Sequence, residues 1–167
     1  MTMTLVETIT VGSGGAASIE FTGIPGDGKD LVLLLSTRQD SFSHNQIMGT
    51  FNNDAGNNYH HIELKGSGSS ASTASYTLTS FRIPTASPTV SQTANTFGSS
   101  RVLVSNYASS NAKPISVESV TETNDSTAYQ AISGGFWSGT GAITTVKLIG
   151  DSANFLEHST ASLYIIS

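Results

Sequence analysis

The stretch PISVESV, Pro114 to Val120, alternates apolar and polar side chains along its length. Ile115 and Val117 fall on one side of an extended chain, and Ser116 and Glu118 fall on the other, because successive side chains of a β-strand point to opposite faces. This alternation predicts a strand with one face packed on a core and the other in water.

The same period of two recurs along the rest of the chain. Turn-rich segments such as VGSGGA and IPGDGKD separate the periodic stretches, and no window of a dozen residues has helical periodicity. The 167 residues are therefore predicted to form one all-β domain, residues 1–167. We expect about ten strands in an antiparallel two-sheet β-sandwich that is jelly-roll-like, which needs eight strands plus an extension or two, and under about 10% helix. Besides PISVESV, the predicted strands are AASIEF, TTVKLIG, TASLYIIS, Leu5–Val11, Leu31–Arg38, Gln46–Phe51, Tyr59–Lys65, Tyr76–Ile83, Arg101–Tyr107 and Tyr129–Trp137.

Two segments are predicted to be long loops. KGSGSSASTAS (65–75) consists almost entirely of small polar residues, and PTASPTVSQTANTFGSS (84–100) is longer than most connections in a compact domain. Both are poor in charge, so docking them against a protein would desolvate few charged groups. The second loop is the predicted interface, with Pro84, Val90 and Phe97 as its candidate residues and Phe97 as its apolar anchor.

Composition excludes several classes of partner. Charged residues make up 11% of the chain, against roughly 25% in ordinary soluble domains, and the net charge is −5. The seven basic residues are scattered, so a nucleic-acid partner is not expected. The run LVLLL (31–35) is too short to span a bilayer, and no membrane partner is expected. The absence of cysteine excludes disulfides and thiolate chemistry.

The stretch NDAGNNYHHIELKG (53–66) is the strongest candidate for chemistry, since two histidines and a glutamate stand close together. On a strand, however, His60 and His61 point to opposite faces and cannot bind one metal ion together. His60 shares its face with Ile62 and Leu64. The opposite face is predicted to be a solvated or interface row, and it carries His61 with Tyr59, Glu63 and Lys65.

No catalytic motif is present. GSGSS lacks the spacing of a nucleophile elbow, and GDGKD lacks the order of a P-loop. Asp27 and Asp30 are candidate calcium ligands, but DGKD alone is far from an EF-hand loop. We therefore expect a non-enzymatic protein with no catalytic residues, no cofactor and no metal. The aromatic residues are a candidate sugar-stacking set, but they are expected to fill the core or an interface instead, with one of Phe136 and Trp137 buried and the other exposed. They are Tyr59, Tyr76, Tyr107, Phe136 and Trp137.

Three long segments carry a resemblance to a known group of proteins. They are LVETITVGSGGAASIEFTGIPGDGKDLVLLLSTR, SNYASSNAKPISVESVTETNDSTAYQAISGGFWSGTGAITTVKL and SANFLEHSTASLYII. With VGSGGAASIEFTGIP, AYQAISGGFWS and STASLY as their most specific parts, they resemble small β-rich structural proteins of tailed-phage virions. The resemblance brings no functional residues with it, and it does not extend to the segment 84–100.

The resemblance implies a virion component, assembled in the cytoplasm of the host bacterium. A capsid decoration (cement) protein that bridges subunits of the major capsid protein is the favoured role, because the chain runs directly into its first predicted strand and leaves little room for an attachment region. The alternative is a tail fibre or spike domain that binds a receptor or carbohydrate. A homo-oligomer is expected, with a trimer matching a threefold site on a shell.

Overall fold

Twelve strands and no helix form the part of the chain that the structure, a computed structural model, describes: residues 1–42, 45–124 and 128–167. All pairings between the strands are antiparallel, as the alternating sequence pattern predicts. The strands are β1 (Met3–Thr10), β2 (Ser18–Phe21), β3 (Asp30–Thr37), β4 (Asn45–Phe51), β5 (Tyr59–Ser67), β6 (Ser70–Leu78), β7 (Phe81–Ser87), β8 (Gly98–Ser105), β9 (Lys113–Thr121), β10 (Tyr129–Trp137), β11 (Val146–Gly150) and β12 (Thr160–Ile166).

The strands form two sheets. The large sheet has eight strands in the order β1-β12-β3-β8-β9-β10-β5-β6, and the small sheet has four in the order β2-β11-β4-β7. The predicted antiparallel two-sheet β-sandwich is confirmed.

Two hairpins account for the unequal size of the sheets. Without β5–β6 and β9–β10, the remaining strands form two four-stranded sheets, β1-β12-β3-β8 and β2-β11-β4-β7. Strands that follow one another in the chain then mostly lie in opposite sheets, which is the jelly-roll arrangement of eight strands. The hairpins add β9, β10, β5 and β6 to one side of the large sheet. We call these four strands the extension.

The core lies between the two sheets. Leu31 and Leu33 of β3 and Val102 and Val104 of β8 point inward from the large sheet and are fully buried. β7 crosses beneath the extension, and side chains of the large sheet donate hydrogen bonds to its carbonyl groups. The donors are Ser119 to the carbonyl of Pro84, Thr121 to that of Thr85, and Thr37 to that of Ala86.

Three of the predicted boundaries are wrong. The predicted strand Tyr76–Ile83 is two strands in different sheets, β6 and β7, separated by a bend at residues 79–80. The predicted loop 65–75 is a hairpin in which β5 and β6 pair around a two-residue turn, Gly68–Ser69. The predicted loop 84–100 contains the end of β7 and the start of β8, so only residues 88–97 lie outside strands.

Candidate functional site

The outward-facing side of the extension exposes an apolar surface. The exposed fractions of its main side chains are 57% for Ile62, 56% for Leu64, 50% for Ile132, 45% for Val120 and 43% for Phe136. These residues lie on three neighbouring strands, β5, β10 and β9. Contiguous apolar side chains on the surface of a soluble domain mark a site of interaction with another molecule. We call this set the outer face.

Register brings the side chains of the outer face together. Leu64 of β5 lies directly opposite Ile132 of β10, and Phe136 lies opposite His60. The His60 and Phe136 rings are stacked, with centroids 4.7 Å apart and planes 22° apart. Gly134 lies opposite Ile62 and leaves a shallow gap beside it. The result is a continuous apolar surface across β5 and β10. Its charged groups lie on the β9 side, where exposed Glu118 is opposite Ile132 and Arg101 of β8 is opposite Glu118.

His60 and His61 lie on opposite faces of β5, as predicted. His60 lies on the outer face and its Nδ1 is 3.1 Å from the hydroxyl of Thr77, whereas His61 points between the sheets and is 7% exposed. The assignment of the two faces was wrong, however, because the row of His61 and Glu63 is buried and the row of Ile62 is exposed. The buried face is the one that carries Tyr59, whose ring packs against Phe51 and Trp137 in the core.

A polar cluster lies beneath β5 on this inner side. Glu63 is 2% exposed and pairs with Lys65, with 2.8 Å between Oε1 and Nζ. The Arg82 guanidinium of β7 lies over the ring of Tyr76, 4.5 Å from its centroid, and donates to Gln46. Arg82 and the ion pair of Glu63 with Lys65 place a fixed set of charges around His61. The members of the polar cluster are His61, Glu63, Lys65, Tyr76 and Arg82.

This cluster has the geometry of a structural group. Burial lowers the pKa of His61; the charge of Glu63 opposes that shift, and the charges of Arg82 and Lys65 add to it. The cavity next to the ring has a volume of about 10 Å³, which is room for about one water molecule and too little for a substrate. Within the described ranges, no three histidine, aspartate or glutamate side chains come together as a metal site. His44 lies outside the described residues.

The remaining acidic residue of the first candidate stretch has a structural partner. The Asp54 carboxylate accepts a hydrogen bond from Trp137 Nε1 at 2.7 Å and others from Asn58 and the Gly56 amide. Burial alone would raise the pKa of Asp54, but these three hydrogen bonds lower it below its ordinary value. The segment before Tyr59 is thus a turn held by its own carboxylate.

The segment between β7 and β8 is organised from inside the domain. The guanidinium of Arg38, which is 6% exposed, donates to the carbonyl groups of Thr89, Gln92, Thr93 and Thr96 at 2.8–3.1 Å. A planar guanidinium with several donors suits this task, because it satisfies several carbonyl groups at once. Residues 89–96 therefore wrap around the side chain of Arg38, which directly follows β3, and they need no outside partner to order them.

The three candidate interface residues of this segment are not equivalent. Pro84 is buried within β7, so its side chain lies away from the surface. Val90 is 40% exposed and Phe97 is partly buried. Whether Val90 and Phe97 contact another protein stays a prediction.

Most of the candidate sugar-stacking aromatics belong to the core. Tyr59, Tyr107 and Trp137 are buried, and burial raises the pKa of both tyrosines. Phe136 is exposed next to buried Trp137, which confirms that one of this pair is core and the other is at the surface. The outer face itself was missed from the sequence, because an apolar row and a polar row alternate on β5 and only the tertiary fold decides which is covered.

No protein-family model, no curated protein and no solved structure matches the chain. The fold is therefore established by the strand order alone, as a jelly-roll sandwich with a four-stranded extension. The described ranges contain no helix that is long and apolar enough to cross a membrane.

Proposed function

We propose that the protein is a non-enzymatic structural component of a phage virion, a decoration protein that docks on the capsid shell and bridges subunits of the major capsid protein. The observation that carries this proposal is the outer face: an apolar sheet surface, with the charge of Glu118 on its β9 side, on a domain whose core is already complete. Burying an isoleucine or leucine side chain contributes about 1.5–3 kcal/mol, so a few such contacts supply useful affinity.

Several features support an adhesive rather than a catalytic role. Charged groups in and outside the candidate stretch serve the fold: Glu63 pairs with Lys65 and Asp54 holds Trp137 within it, and Arg38 holds residues 89–96 elsewhere. Two open depressions lie on this side of the large sheet, one of about 410 Å³ beside Val120 and one of about 240 Å³ beside Leu64 and Ile132. An open apolar face of this kind suits a broad protein surface better than a small ligand, which is usually enclosed by its pocket. Several linked copies would raise the avidity of weak contacts by about 10² to 10⁴. The alternative is a receptor-binding fibre domain, and the copy number per virion distinguishes it from a decoration protein.

Copy number distinguishes the two roles. The protein is measured by quantitative gel densitometry in purified virions against the major capsid protein. A decoration protein is present in tens to hundreds of copies per particle because it follows the shell lattice, whereas a fibre domain is present in far fewer. Its absence from virions would contradict both roles.

The attachment surface is tested by adding purified protein back to particles that lack it. The double variant Leu64→Ser/Ile132→Ser removes two facing side chains of the outer face, and we expect its binding to fall at least about tenfold, since each lost contact is worth about 1.5 kcal/mol or more. Phe97→Ala tests the segment 88–97 in the same assay. Normal binding by the double variant and weak binding by Phe97→Ala would move the attachment site to that segment.

A further inference from the structure

The four strands at the edges of the two sheets differ in how well they are protected against pairing with another chain. An unprotected edge strand presents free N–H and C=O groups that are a template for another strand. β1 is interrupted by a register shift between Leu5 and Glu7, and β2 has only four residues. β7 contains Pro84, and its carbonyl groups accept hydrogen bonds from the large sheet.

β6 has none of these protections. It has nine residues, SASTASYTL, with no charge, no proline and no glycine, and it pairs with β5 over its whole length without a register shift. Ser70 to Thr73 are exposed. A long, regular and uncharged edge is the kind that pairs with a further strand.

The hairpin geometry shows which backbone groups of β6 are free. In a hairpin with a two-residue loop, the pair that closes the loop is hydrogen-bonded, and here that pair is Ser67 and Ser70. Gly68, at φ 56°, supplies the positive φ that this tight turn requires. Because hydrogen-bonded pairs alternate, the even-numbered residues of β6 bond to β5. The odd-numbered residues direct their N–H and C=O groups away from the sheet, and they are Ala71, Thr73, Ser75 and Thr77.

We propose that β6 pairs with β6 of a second copy of this chain, antiparallel and about a two-fold axis at Ala74. This register places Thr73 opposite Ser75 of the second copy and Ala71 opposite Thr77, so every free group of one copy meets a free group of the other. Each such pair exchanges two hydrogen bonds. Ala74 faces Ala74, and Ser72 leaves room for Tyr76 of the second copy.

Charge and surface continuity favour a second copy over a different partner. The nearest acidic side chains, the two Glu63 residues, would be three strand spacings apart, which is roughly 14 Å, so no two like charges would be in contact across the interface. Each is also paired with its own Lys65. The two outer faces would lie side by side on one sixteen-stranded sheet. A two-fold interface of this kind gives an even number of copies, in contrast to the trimer that the resemblance implies.

Cysteine cross-linking tests the register directly, because the chain contains no cysteine. In Ala74→Cys, the two introduced thiols would face each other in a non-hydrogen-bonded pair with Cα atoms about 4.5 Å apart, within the range for a disulfide. In the matched variant Ser70→Cys, on the same strand, the two thiols would be roughly 27 Å apart. We expect Ala74→Cys to form a covalent dimer under mild oxidation at least about tenfold faster than Ser70→Cys.

A second measurement covers the association itself. Sedimentation velocity of the wild-type protein should show a dimer, or a larger assembly with an even number of copies, and Ser75→Pro should shift it to the monomer. The proline removes an N–H group that points away from β5, so the hairpin keeps its bonds, and an unchanged circular dichroism spectrum checks this. A monomeric or trimeric wild-type protein, or equal cross-linking of the two cysteine variants, would overturn the proposal. So would pairing of β6 only with a strand of another protein.

Discussion

The ring of His61 packs against the ring of Tyr76, with centroids 5.2 Å apart and planes tilted by 37°. Both nitrogen atoms of His61 are buried, and neither has a hydrogen-bond partner within the described part of the chain. Burial lowers the pKa of this histidine; nearby Glu63 opposes the shift, and the cations Arg82 and Lys65 reinforce it. The folded protein therefore holds His61 in its neutral form.

This arrangement predicts that acid destabilises the fold. Unfolded His61 takes up a proton near its ordinary pKa of 6.5, whereas folded His61 does so only at lower pH. The unfolded state binds more protons in that interval, so the free energy of unfolding falls as pH drops below about 6.5 and the full contribution is present above it. Urea unfolding between about pH 7.5 and about pH 5 measures the slope, which should be shallower in His61→Leu. The matched control is His60→Leu, which leaves His61 in place; if all three proteins share one slope, His61 is not the cause.

Asp54 and Trp137 provide a second test of the candidate stretch. Asp54→Ala leaves the buried indole N–H of Trp137 and the Gly56 amide without an acceptor, so we expect a loss of about 2 kcal/mol. Because Trp137 is the single tryptophan of the chain, its emission spectrum reports directly on this contact. Asp54→Asn keeps a side-chain oxygen and is expected to lie between the wild type and the alanine variant. An unchanged spectrum in Asp54→Ala would show that the hydrogen bond is not formed in solution.

The hydrogen bonds of Arg38 lead to a prediction about the stability of residues 89–96 against proteolysis. Replacing it by alanine leaves four buried or partly buried carbonyl groups without their donor, and we expect a loss of about 3 kcal/mol together with rapid proteolysis in this segment. Arg38→Lys should recover only part of the stability, because a single ammonium group cannot reach the same set of acceptors. Limited proteolysis with mass spectrometry locates the cleavage. Cleavage elsewhere first would show that another contact holds the segment.

The two faces of the large sheet should respond differently to the same kind of substitution. Ile62→Ser changes a side chain that is 57% exposed, and we expect a change of less than about 1 kcal/mol in the free energy of unfolding. Val117→Ser changes a side chain that is 2% exposed on the inner face, and we expect a loss of about 3 kcal/mol. Chemical denaturation measures both. A large loss in Ile62→Ser would mean that the outer face is covered within the domain.

How far the sequence predicts this molecule depends on which contacts decide each feature. Alternation in PISVESV and TASLYIIS is local, and it predicts both the strands and the two-sheet fold correctly. The hairpin of β5 and β6 was missed because SASTASY is made of small polar residues that favour loops, and its pairing with β5 overrides that preference.

The buried row of β5 could not be identified from local sequence. His61, Glu63 and Lys65 form a polar row, and Ile62 with Leu64 forms an apolar row, so the usual rule places the apolar row inside. In the structure the polar row is buried instead, because the ring of Tyr59, on the same face, enters the core beside Phe51 and Trp137. The register then turns every second residue of β5 toward β7, and the charges of Lys65 and Arg82 accompany the buried Glu63 and His61. The same constraint that buries a polar cluster exposes the candidate binding face.

The two adjacent glycines of β10 give the sharpest test of how closely β10 and β5 approach each other. A methyl group at Gly135 would overlap the His60 carbonyl oxygen and lie 2.7 Å from the His61 Cα, so the strands would have to separate. A methyl group at Gly134 would meet no atom within 4 Å. We therefore expect Gly135→Ala to cost about 2–3 kcal/mol or more, and Gly134→Ala to be neutral or to stabilise by about 0.5 kcal/mol, because alanine loses less backbone entropy than glycine. Thermal and urea unfolding of the two variants measure the difference, and equal stability of the pair would mean that β10 and β5 are further apart in solution than the structure places them.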